Sequence, residues 1–151
     1  MSVLKNKRTT SKAEFVNTAN LIYVGTISIL SRLSARYSRL LAGATAAMAA
    51  EVLNHAEKGN KIFPSDQQRK DLRRAHLLEA LAALSALDVQ LTHCYMILMQ
   101  NPQGAFTDSK GKAVPAAEAV RRLDDMAQDL GELIDREETM LRNTMESDKK
   151  K

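Results

Sequence analysis

Residues 77–98 read LLEALAALSALDVQLTHCYMIL. Leu77, Leu84, Leu91 and Leu98 recur every seven residues, and Ala80, Leu87 and Cys94 fall three residues after the first three. This spacing draws one apolar seam down a long helix, and a seamed helix needs other helices against it. Upstream, Pro64 stops any preceding helix, and Ser65 is placed as the N-cap with Asp66 in the first turn. Downstream, Asn101-Pro102 ends the run.

Two more helices lie N-terminal to the seam. Ser11 followed by Glu14 has capping-box spacing, so a first helix is expected from Lys12. Its stripe is Phe15, Ala19, Ile22, Thr26, Ile29 and Leu33, and it falters at Ser34 to Tyr37, where a kink or short connection is expected. A second, alanine-rich helix follows from about Ser38 to His55 or Lys58, with Gly59-Asn60 as its C-terminal cap. C-terminal to the seam, Phe106-Thr107 and Ala113-Val114 flank Asp108-Ser-Lys-Gly111, a pattern for a small β-hairpin with Gly111 at positive φ. Pro115 suits the first turn of a last helix with the stripe Val120, Leu123, Ala127, Leu130, Ile134 and Leu141. The fold class is therefore all-α: a mainly antiparallel four-helix bundle with a short β-hairpin insertion between helices 3 and 4. The bundle spans residues 12–147, between a basic N-terminal arm at 1–11 and a basic C-terminal tail at 148–151.

Composition agrees. At 151 residues the chain suits one core, and with 4% aromatics and no Trp that core has to be aliphatic, which favours helices. The single Cys94 excludes an internal disulfide and the cysteine-rich zinc patterns, as in a reducing compartment. Leu21 to Leu30 and Leu40 to Ala50, the most apolar runs, fall short of the roughly 20 residues of a membrane span, and no secretory signal pattern opens the chain. A cytoplasmic protein without a membrane partner is expected.

Enzyme motifs fail on spacing. Gly104 and Gly111-Lys112 are too far apart for a phosphate loop and lack the following Ser or Thr. A di-iron bundle needs Glu-x-x-His on two helices, but Glu51 and His55 are one residue too far apart and His76 precedes Glu79. Cys94 lies on the seam as a small hydrophobe with His93 turned away, and Asp88 beside the seam is expected to pair with an arginine across the bundle. Catalytic residues, metal ligands and cofactors are therefore all expected to be none. Met126, Leu133 and Met140 widen the apolar face of the last helix, which suits a generous core or an oligomer contact.

Charge is the remaining signal. The net charge is +4, with Lys5, Lys7, Arg8, Lys12, Arg32, Arg36 and Arg39 against Glu14 in the first 42 residues, and ten carboxylates against four arginines from Glu118 to Asp148. A basic side and an acidic side are expected. Arg32, Arg36 and Arg39 have helical spacing without nearby acids, and Arg69, Lys70, Arg73 and Arg74 repeat it. Aligned arginines of this kind recognise phosphate, so these seven, with Lys5, Lys7 and Arg8 of the arm, are the candidate nucleic-acid-binding residues. A solvated charged face and pairing with the acidic last helix of this or another copy are the other readings of the same residues.

The run Asn54-His55-Ala56-Glu57-Lys58-Gly59-Asn60, the spacing of Glu79-Ala80, Leu84, Leu87 and Gln90-Leu91, and Leu130-Gly131-Glu132-Leu133-Ile134 resemble a family of small four-helix bundles. It comprises the accessory variability determinant of diversity-generating retroelements and the proteins encoded by 23S ribosomal RNA intervening sequences. The likeness covers residues 12–145, with Lys58 interrupting the family's Glu-Gly step. The resemblance implies a homopentamer, without catalytic residues, that binds a reverse transcriptase and structured RNA or RNA–DNA hybrid and assists mutagenic cDNA synthesis. The alternative is a homo-oligomeric scaffold that binds protein partners only, with its arginines used between subunits.

Overall fold

The computed structural model describes residues 13–106 and 110–151. These residues form four α-helices, α1 (Glu14–Leu30), α2 (Ala35–Lys61), α3 (Gln67–Leu98) and α4 (Ala116–Lys149), with a 3₁₀ turn at Pro102–Ala105. They close a ring in which α1 and α3 each pack between α2 and α4. Neighbours run antiparallel. Thr45 and Gly59 of α2 face Cys94 and Leu77 of α3, while Tyr95 and Arg73 of α3 face Asp124 and Asp148 of α4.

The seam holds this ring together. Leu77, Ala80, Leu84, Leu87, Leu91, Cys94 and Leu98 are all buried, as are all six stripe residues from Phe15 to Leu33. By length and composition alone α3 could cross a membrane, yet its seam is packed inside the bundle. Burial of Leu84 contributes roughly 2–3 kcal/mol, and aspartate there would also place a charge among aliphatic side chains. Leu84→Asp should therefore abolish cooperative thermal unfolding followed by circular dichroism; an unaltered melt would refute the seam.

Several boundaries differ from the sequence reading. α2 begins at Ala35, three residues earlier than expected, because the Ser34 hydroxyl accepts the Tyr37 N–H. α2 also continues through Gly59-Asn60 to Lys61. Gly59 is not a cap but a contact: a Cβ there would lie 2.8 Å from Cδ2 of Leu77, so its missing side chain lets α3 approach. The N-cap of α3 is Asp66 rather than Ser65, its carboxylate accepting the Arg69 N–H at 2.8 Å. That bond, with the Arg69 charge, holds Asp66 below the usual carboxylate range. The capping-box residue Ser11 and the basic arm lie outside the described residues.

The expected β-hairpin is not supported: no strand occurs among the described residues, and residues 107–109 of the expected hairpin lie outside them. Side-chain burial fastens this connection instead. Phe106 and Val114 enter the core, the Val114 N–H donates to the Phe106 carbonyl, and Pro102 opens the 3₁₀ turn. Gly111 does adopt positive φ, at 79°.

On α4 the buried row contains Leu123, Leu130, Ile134 and Leu141 as expected, whereas Val120 and Ala127 are only half-buried. An acid joins the row. Glu137 is 0% exposed, and neither carboxylate oxygen has a hydrogen-bond partner. Burial pushes its pKa up to about 8, so this carboxyl is mostly protonated at neutral pH. Met126, Leu133 and Met140 are half-buried at the edge of the core.

Candidate nucleic-acid interface

Antiparallel packing distributes the cations between two ends of the bundle. The start of α2 and the end of α3 form one end, and the starts of α1 and α3 with the end of α4 form the other. Along α2, 27 residues long, this separates the two arginine groups by about 40 Å. Among the described residues the cations do not gather on a single side. Residues 57–74 and 145–151, at the second end, hold nine cations and five carboxylates. The middle of α4, residues 126–144, holds four carboxylates besides the buried Glu137 against two arginines, so the bundle has an acidic waist.

At the first end, the expected line of Arg32, Arg36 and Arg39 on one helix is broken. Arg32 sits in the turn after α1, where its guanidinium stacks 4.6 Å from the Phe106 ring centre; Arg122 covers the same ring at 5.5 Å. This cation–π contact fastens the 102–106 turn to the bundle. Arg36 and Arg39 are exposed on the first turns of α2 and make no hydrogen bond or ion pair among the described residues.

The second end divides its cations by role. Arg73 is structural: its Nε donates to Asp148 at 2.6 Å and its Nη1 to the carbonyls of Gly59 and Ile62 at 2.9 and 3.3 Å. With side-chain exposures of 11% and 14%, Arg73 and Asp148 join the ends of α2, α3 and α4. Arg69 is exposed but held by Asp66 at 2.5 Å, and Lys70 donates to the Lys151 carbonyl. Arg74 is exposed and makes no ion pair among the described residues, its charge felt at Glu146. Lys70, Arg74 and Lys149 line a cleft of about 260 Å³ together with Asp71 and Asp148. Lys58 and Lys61 are exposed at the same end, where α1 starts. Lys5, Lys7 and Arg8 lie outside the described residues.

The side chains weighed for chemistry are dispersed. Cys94 is buried, 4.0 Å from the Thr45 hydroxyl, and burial raises its thiol pKa, which keeps it an unreactive thiol. His93 is exposed on another face. Among the described residues Asp88 forms no ion pair with an arginine; it borders a cleft of about 120 Å³ with Thr92 and Tyr95 over an apolar floor that includes Leu91 and Leu130. There the Tyr95 hydroxyl donates to Asp124, and this bond raises the phenol pKa. Among the described residues no group of three or more His, Cys, Asp or Glu side chains is placed to hold a metal.

Two features escaped the sequence reading. Glu137 continues the seven-residue row of Leu123 and Leu130, a signal available in the sequence but hidden by assuming that acids face water. The imidazoles of His55 and His76 meet across α2 and α3, with their Nδ1 atoms 3.1 Å apart. Neither histidine sits in a motif that predicts the other.

Comparison with protein-family models, curated proteins and solved structures finds no match to this chain.

Proposed function

We propose that this chain is a non-enzymatic nucleic-acid-binding subunit that assists a retroelement reverse transcriptase in copying its RNA template. The observation that carries the polyanion part is the second end of the bundle, where Lys58, Lys61 and Arg74 are exposed and Lys70, Arg74 and Lys149 border one cleft. Arginine and lysine converging without an equal number of carboxylates suit phosphate oxygens, and a structured RNA or RNA–DNA hybrid presents these in rows. Described aromatic side chains are sparse there: Phe63 is the one exposed nearby, so base stacking has little support and sequence preference should be weak. The reverse transcriptase, the pentameric assembly and mutagenic copying rest on the family resemblance.

The test is the salt dependence of binding to structured RNA. The double variant Lys70→Glu/Arg74→Glu should keep the helical spectrum of the parent, since both residues are peripheral. If it loses two phosphate contacts, the slope of log affinity against log salt should become shallower by roughly 1.8 on a duplex, about 0.9 per contact. Affinity equal to the parent's across roughly 50–200 mM salt would remove this end as the interface.

The protein-only scaffold has one observation of its own. From Phe15 to Ser31 the chain carries no charge, and Leu21, Val24 and Ile27 of α1 are exposed. An uncharged outer helix face suits contact with another protein. In that reading the salt slope is near zero and the assembly survives high salt.

A further inference from the structure

The meeting of His55 and His76 has geometry beyond what packing of the bundle requires. One side chain comes from the second-last turn of α2 and the other from the first third of α3, so the pair spans two helices. Both rings are half-buried, their centres 5.3 Å apart and their planes tilted by 31°. Each presents Nδ1 to the other at 3.1 Å. With one proton between them this is a hydrogen bond, and only one of the two nitrogens then needs to carry hydrogen.

The same separation is a chelating bite. Zinc–imidazole bonds are about 2.0–2.1 Å long, and two nitrogens 3.1 Å apart then subtend roughly 100° at the ion, between the octahedral and tetrahedral angles. We infer that His55 and His76 form a two-imidazole site for a divalent transition ion such as Zn²⁺ or Ni²⁺ between α2 and α3, with its remaining positions open to water or an exogenous ligand. On binding, the ring that carries the shared hydrogen on Nδ1 gives it up to solvent and takes one from solvent at Nε2, so that each Nδ1 donates its lone pair to the ion, each Nε2 carries hydrogen, and the neutral pair releases no net proton.

The surroundings allow this. Burial lowers the His76 pKa, and the charges of His55 and Lys58 lower it further, the direction that favours a neutral, ligating imidazole. Glu79, one turn along from His76, acts in the opposite sense and supplies a carboxylate close enough to stabilise positive charge. Glu51, exposed one turn before His55, is a second carboxylate on the α2 side. Lys58 is the opposing cation, and the small number of protein ligands suits a readily exchanged ion rather than a structural one.

The experiment uses the full chain with any affinity tag removed and titrates it with Zn²⁺ alone and with Ni²⁺ alone, by calorimetry and by the metal-dependent shift of the thermal midpoint. One ion per chain and a raised midpoint are expected for the parent. His55→Ala and His76→Ala, both at half-exposed positions that should leave the helical spectrum intact, should each weaken binding about tenfold or more, equivalent to one lost ligand. His93→Ala removes the third histidine and should change nothing. Binding in the two variants equal to the parent's, or no binding by the parent at millimolar metal, would overturn the site. Because RNA affinity is not the readout, failure here leaves the polyanion reading standing, and failure of that reading leaves this site untouched.

Discussion

Replacing Glu137 with leucine should stabilise the bundle by about 3 kcal/mol at pH 7, raising its melting temperature by roughly 10 °C. Glu137 is completely buried, has no hydrogen-bond partner on either oxygen, and has its pKa pushed from 4.5 to about 8. In the unfolded chain the carboxyl ionises above pH 4.5; in the folded chain it holds its proton until about pH 8. Folding thus binds a proton across this window, and the stability associated with the protonated group is lost as pH rises from 4.5 to 8. Below 4.5 the contribution is fully present, and above 8 the loss is complete. Glu137→Gln keeps the shape and removes the ionisation. The stability difference between that variant and the parent should therefore grow with pH through this window and level off above it. A difference that stays constant from pH 5 to 9, measured by chemical denaturation, would show that the carboxyl is solvated.

Arg73→Ala should act in the opposite direction, destabilising the protein by roughly 3 kcal/mol or more. The variant would leave the Asp148 carboxylate, itself 14% exposed, with only the Lys151 ammonium at 3.9 Å, the Gly59 carbonyl with only the Ile62 N–H, and the Ile62 carbonyl without its arginine donor. Arg73→Lys should recover only part of this loss, because an ammonium cannot reproduce a planar fork that reaches one carboxylate and two carbonyls at once. Arg74→Ala, one residue along and exposed, should stay within about 0.5 kcal/mol of the parent. Equal melting temperatures for Arg73→Ala and Arg74→Ala would show that the three-helix junction contributes nothing to stability. The contrast also guards the RNA experiment, since a loss of binding in an Arg73 variant would confound unfolding with lost contacts.

Neighbouring residues with the same side chain thus have different roles, and their sequence gives no sign of it. Arg73 and Arg74 share composition and helix position, but the helix turns by about 100° between them, directing one onto Asp148 and the other outward. Asp148 is 75 residues away, so the pair exists only once α3 and α4 have docked. The same holds for Arg32. Its spacing from Arg36 and Arg39 suits one helical face, but the chain turns before Ser34, and Phe106 captures the guanidinium.

What the sequence by itself determined is the period of its apolar residues, because local repetition encodes which side of a helix must leave water. Leu77, Leu84, Leu91 and Leu98 were sufficient for a seamed helix, and the stripes at Phe15–Leu33 and Leu123–Leu141 for two partners. The tertiary structure alone decided where charges and polar groups end up. Antiparallel packing sent two basic groups to opposite ends, brought His55 to His76, and enclosed Glu137 at a position where the row continues but the residue type does not. It also turned Gly59 from an expected helix stop into a point of close approach for Leu77. Periodicity is a property of a single helix, whereas a salt bridge, an imidazole pair or a buried acid depends on the register between helices, which is set by the packing of all four.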